Sequence, residues 1–178
     1  MTRNQATTVL VAGGWVAAIG GAWLLSALWL ARSARTTLRV HFLWRLQHPA
    51  AEALHIWAAN SKATAGVALC ILLVLFARRA CPEGLHGLLR LPFLAADVLL
   101  AAMMLRIALL AGVLLGAYGS TQLRVFLPYG PVELAAWVTL SILYVNARTG
   151  RAGLCSITRG LLTVEMLLLA AAVLEVIS

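Results

Sequence analysis

The chain has 178 residues, of which 62% are hydrophobic and only 11% charged, a balance that leaves too little polar surface to cover a water-soluble domain. Its 14 Lys and Arg against 6 Asp and Glu give a net charge of +8, but the cations sit in short segments beside apolar runs, as at helix ends that meet anionic headgroups. With a mean hydropathy of +0.93, this pattern excludes a secreted disulfide domain, a disordered regulator and a nucleic-acid module, and predicts an all-α membrane protein.

From Thr7 to Ala31 there are 25 residues without a charge, enough for about 37 Å of helix. That length predicts a first spanning helix over 7–31, because the run exceeds the apolar core of a cleaved leader. Gly13, Ala17 and Gly21 recur every four residues and form a stripe along which another helix can approach closely. Residues 32–55 change character: Arg32, Arg35, Arg39 and Arg45 alternate with Leu38, Phe42, Trp44 and Leu46, and Pro49 restarts the helix. This segment reads as basic interfacial helix lying along the membrane surface. His41, His48 and His55 recur every seven residues, which spaces them about 10 Å apart on a helix, too far to share one metal ion.

A second span is predicted over 56–77, with Asn60 and Ser61 as candidate caps near its start and Arg78-Arg79 as its stop. The loop that follows holds Cys81, Glu83 and His86 without a metal-ligand spacing, and reads as a polar loop. A third span over 91–119 carries Asp97 and Arg106 and ends on a second small-residue stripe, Ala108, Gly112 and Gly116. A fourth over 125–147 contains Pro128-Tyr129-Gly130-Pro131, which breaks regular helix, followed by Glu133; lipid tolerates such backbone only where protein or water covers it. A fifth over 161–177 holds Glu165 near its start and Glu175 at its end.

Five crossings put Arg3 and loops 78–90 and 148–160 on one side, with seven cations, against six in segments 32–62 and 120–124, so charge does not choose an orientation. Cys70, Cys81 and Cys155 read as three isolated thiols. An ion at mid-helix costs at least about 2.5 kcal/mol and therefore asks for a partner. Counting residues from the loop side, Arg106 and Glu133 both lie about 21 to 22 Å deep, which predicts an interhelical ion pair between them. Asp97 and Glu165 lie shallower, within reach of loop arginines. No catalytic, metal or cofactor constellation emerges: there is no HExxH, no phosphate-binding Gly-rich loop with Lys, and Ser61-Lys62 do not share a helix face.

Two features resemble the stage II sporulation protein M family of bacterial and archaeal membrane proteins. One is the polar Asn60 at the start of the second span, within Trp57-Ala58-Ala59-Asn60-Ser61; the other is Pro128-Tyr129-Gly130-Pro131-Val132-Glu133-Leu134 after Gly112, Gly116 and Gly119. Tyr129 stands where the family motif has His, and a single Asn where a pair is common. The resemblance implies a non-catalytic, multi-pass subunit of the bacterial cytoplasmic membrane that works in an envelope or export complex. Its implied partners are other membrane proteins, a cell-wall hydrolase or an ATPase, or further copies of itself. A permease subunit of an ABC-type exporter is the alternative reading.

Overall fold

The computed structural model describes residues 3–30, 49–80, 90–119, 124 and 126–177, and every regular element among them is helical. Helix α1 covers Arg3–Leu25 and continues as a π turn over Ser26–Leu30; α2 covers Pro49–Ala80, α3 Arg90–Tyr118, α4 Gly130–Arg148 and α5 Leu154–Ile177. Helix is the outcome that hydrocarbon imposes, since a helix satisfies its backbone donors and acceptors internally. The segments Val9–Trp29, Pro49–Phe76, Leu94–Ala117 and Leu154–Ile177 are each long and apolar enough to cross a membrane. Large apolar side chains such as Leu10, Leu28, Trp29, Phe76, Leu91 and Met166 stay exposed on their outer faces, where lipid replaces water as solvent. The chain is a membrane-embedded helical bundle.

Several boundaries differ from those the sequence suggests. The second span and the end of the predicted interfacial segment are one continuous helix of 32 residues that starts at Pro49, so Asn60 and Ser61 lie inside a helix rather than cap one. Proline is well placed as the first residue, where its missing N–H is not needed, and Glu52 in the first turn complements the helix dipole. Residues 31–48, with the basic interfacial arginines, His41 and His48, and residues 81–89, with Cys81 and His86, lie outside the described residues. The fifth helix begins at Leu154 rather than at 161, which leaves Arg159 within it.

The fourth predicted crossing meets the measure of a span in length but not in apolarity. Its regular part is the 19-residue α4, about 28 Å long, which is not among the four apolar segments. The Pro-Tyr-Gly-Pro segment does not interrupt this helix; it forms the turn that starts it. Phe126 C=O accepts from Tyr129 N–H at 3.3 Å, and Tyr129 C=O accepts from Val132 and Glu133 N–H, both at 3.0 Å. Pro131 in the first turn, Glu133 after it and Arg148 in the last turn all suit the polarity of the helix. The far end closes on Gly150, which adopts φ 73° while Arg151 N–H reaches back to Asn146 C=O at 2.8 Å. The short connection Thr149–Gly153 then makes α4 and α5 an antiparallel hairpin.

Helix α4 touches all four other helices and buries Ala136, Trp137, Leu140, Ser141, Leu143, Tyr144 and Ala147, so protein rather than lipid covers its mixed surface. Around it the core gathers Trp15 of α1, Val67 and Ile71 of α2, Ala96 and Leu100 of α3, and Ile157, Val164 and Leu168 of α5. Trp15 donates its indole N–H to Ser141 Oγ at 3.3 Å, tying α1 to α4.

The two small-residue stripes have different fates. Helices α1 and α3 run parallel and approach most closely at Gly112 and Gly116: a Cβ on Gly112 would lie 2.5 Å from Ala22 Cβ, and one on Gly116 2.7 Å from Ser26 Cβ. Ala108 is buried along the same line, and Ser26 Oγ donates to Val113 C=O at 3.2 Å across the crossing. On α1 it is therefore Ala22 and Ser26 that face the partner helix. Gly13, Ala17 and Gly21 point outward, and a Cβ on either glycine would meet nothing within 4 Å.

Gly112→Ala should accordingly lower stability by about 1–3 kcal/mol, because the helices must part. Gly21→Ala should shift it by no more than about 0.5 kcal/mol. Detergent-phase unfolding followed by circular dichroism checks both; equal stability of the two variants would remove the close approach from the account.

Candidate functional site

Four of the five carboxylates in the described helices, Asp97, Glu133, Glu165 and Glu175, are drawn into three interhelical clusters. At the loop-side edge, Arg148 Nη2 lies 3.6 Å from Asp97 Oδ2, and the Tyr144 hydroxyl donates to Asp97 Oδ1. Tyr144 and Arg148 stand four residues apart on α4, so both reach the same carboxylate of α3. This matches the expectation that Asp97 finds a loop arginine, and both charged side chains stay partly exposed at the bundle edge.

Glu165 departs from that expectation. Its partners are neutral donors on α2: Trp57 Nε1 at 3.0 Å and Ser61 Oγ at 2.5 Å to Oε2, and Thr64 Oγ1 at 2.6 Å to Oε1. Positions 57, 61 and 64 share one helix face, which is why three side chains converge on one carboxylate. Thr64 Oγ1 also lies 2.9 Å from Ser61 C=O, and its single proton serves one of these acceptors at a time. The helical spacing of these polar residues inside an apolar run is the sequence signal for this cluster, and it holds only when Ser61 lies within the helix rather than at its cap.

The third cluster joins the two motifs that carried the family resemblance. Asn60 Nδ2 and Trp137 Nε1 each donate to Glu133 Oε1 at 3.4 Å. These groups border a half-enclosed cavity of about 380 Å³ between α1, α2, α3 and α4, which also receives Arg106, Tyr129 and, from the end of α5, Glu175. The remaining lining is apolar, with Ile19, Ile56, Ile107 and Leu110 among it. Tyr129 is held by an edge-to-face contact with Phe126, ring centroids 5.5 Å apart. The same Phe126 ring occupies the space a side chain on Gly130 would need, so glycine at this position lets the turn close over the cavity.

Arg106 and Glu133 thus face one cavity but form no ion pair; the ion pair among the described residues is Arg148 with Asp97. The physical reason is register. Asp97 sits level with the end of α4, shallower relative to that helix than residue counting from the loops implies, and this alignment carries Glu133 roughly one turn, about 6 Å, beyond Arg106. Glu175, at the end of α5, lies at the cavity because α5 returns antiparallel to α4. Pro128, exposed, supports the turn without lining the cavity. Cys70 and Cys155 are free thiols, and among the described residues no three His, Cys, Asp or Glu gather in a way that could hold a metal ion.

No protein-family model, no curated protein and no solved structure matches this chain.

Removing the Glu165 carboxylate without replacing its acceptors should be costly. Glu165→Leu leaves the Trp57, Ser61 and Thr64 donors facing one another and should lose about 1–3 kcal/mol. Glu165→Gln should stay close to wild type, because one amide oxygen can accept from Trp57 and Ser61 while Thr64 turns to Ser61 C=O. Thermal midpoints in one detergent test this; a Gln variant as unstable as the Leu variant would mean that the charge, not the acceptors, holds α2 to α5.

Proposed function

We propose that this chain is a non-catalytic integral membrane subunit of a bacterial envelope or export complex, in keeping with its resemblance to the stage II sporulation protein M family. The observation that carries the proposal is the meeting of Asn60 with Glu133, which brings two motifs distant in sequence to one cavity beside Tyr129 and Gly130. Residues that serve only to terminate separate helices have no reason to converge in this way. The carboxylates Asp97, Glu133 and Glu165 accept from neighbouring helices, which suits a bundle held in fixed register. The outward stripe Gly13, Ala17 and Gly21 suits a subunit that seats another helix against α1.

The cavity itself favours a second reading, a permease that works with a separate ATPase. Arg106, Glu133 and Glu175 around a partly enclosed volume at membrane depth are the kind of polar groups by which transporters hold a charged substrate.

Gentle detergent extraction of the tagged full chain, followed by mass spectrometry, tests both readings. The first expects a co-extracted membrane partner or cell-wall hydrolase that is lost in the Gly13→Leu/Gly21→Leu variant while the thermal midpoint is kept. The second expects a stoichiometric ATPase. A chain that is active alone and carries no partner would sink the proposal.

A further inference from the structure

Glu165 stands at the midpoint of the 24-residue apolar stretch Leu154–Ile177, and Ser61 and Thr64 flank the middle of Pro49–Phe76. The carboxylate therefore meets its donors midway along both helices, where an ion is most costly and a balancing charge most needed. Among the described residues no Lys, Arg or His comes within ion-pair distance of it. Lys62 is exposed and stands about 130° round α2 from the face that Trp57, Ser61 and Thr64 share, and Arg159 is exposed nearer the start of α5. Three neutral donors lower the cost of the charge but leave it uncompensated.

What surrounds that charge is oxygen. Ser61 Oγ lies 2.5 Å from Glu165 Oε2, and Thr64 Oγ1 lies 2.6 Å from Oε1. Both hydroxyls can turn their protons elsewhere without leaving the cluster. Thr64 Oγ1 is 2.9 Å from Ser61 C=O, and Ser61, in mid-helix, can donate to the carbonyl of Trp57 one turn back. Their lone pairs then point toward the carboxylate. An ion seated there meets two hydroxyl and two carboxylate oxygens, while Trp57 N–H keeps its hold on Oε2 at 3.0 Å. An all-oxygen set suits a hard cation, and one carboxylate balances one positive charge. The close spacing of the oxygens favours a small ion over a large one. Thr64 is buried while Ser61 and Glu165 are half-buried, so the group is sheltered yet reachable.

We propose that Glu165, Ser61 and Thr64 form a sodium-ion site between α2 and α5, with the carboxylate as the balancing charge and the two hydroxyls as neutral ligands. The site is separate from the cavity at Glu133 and needs no partner protein, so the proposal stands or falls independently of the subunit reading.

The full chain is purified in detergent in choline chloride, and sodium then replaces choline at constant ionic strength. The readouts are the thermal midpoint and equilibrium binding of radioactive sodium. Wild type should bind about one ion per chain, and its midpoint should rise with sodium concentration. Potassium should need at least about tenfold higher concentration for the same rise. Glu165→Gln should keep the sodium-free midpoint but lose both the binding and the rise. Ser61→Ala leaves Trp57 and Thr64 on the carboxylate and should weaken sodium binding at least about tenfold, and it carries the test should Glu165→Gln fail to fold. Glu133→Gln and Asp97→Asn, outside the site, should respond to sodium as wild type does. No saturable binding by wild type up to about 100 mM sodium, or wild-type binding by Glu165→Gln or by Ser61→Ala, overturns the proposal. So does loss of binding in Glu133→Gln alone, which would move the ion to the cavity. An infrared carboxylic-acid band that Glu165→Gln removes and sodium leaves unchanged overturns it in favour of a proton.

Discussion

A carboxylate placed among apolar helices has no water to turn to, so its hydrogen-bond donors must come from the helix opposite, and meeting that demand aligns one helix against another. Glu165 of α5 is met by Trp57, Ser61 and Thr64 of α2 and Glu133 of α4 by Asn60 of α2, while Asp97 of α3, at the partly exposed edge, is met by Tyr144 and Arg148 of α4. These links tie α2, α3, α4 and α5 into one register. Apolar contacts alone would set it loosely, since lipid tails compete with Leu and Val on nearly equal terms.

Helix α1 enters by a different route. Its hold on α3 comes from close backbone approach at Gly112 and Gly116, where dispersion contacts and the Ser26 bond to Val113 C=O take the place of hydrogen bonds to carboxylates, and its hold on α4 from the indole of Trp15 on Ser141. The consequence is a division of surfaces on α1: Ala22 and Ser26 face inward, and Gly13, Ala17 and Gly21 outward. Helix α4, shorter and more polar than its neighbours, takes the centre because only there does protein cover Glu133, Ser141 and Tyr144.

The cavity follows from these alignments. Because Asp97 fixes α4 against α3 one turn away from the register that would pair Arg106 with Glu133, the two charges face a common space instead of each other. The subunit reading draws on that space through the motif residues that border it. A direct ion pair would have closed the cavity and left a purely structural bundle.

Spanning lengths, the helical class and the presence of costly charges were legible from the chain, because the bilayer admits few structures and each apolar run or ion declares itself locally. The Ala108, Gly112 and Gly116 stripe was legible for the same reason. Which face of α1 is used, where α2 and α5 begin, and which donor answers which carboxylate were decided only by the packed bundle. Counting residues from a loop assumes that helices start level; the Asp97 link shows α3 and α4 do not, and a shift of one turn exchanges every partner at mid-depth. Partner choice between helices is a property of their relative register, which no single segment contains.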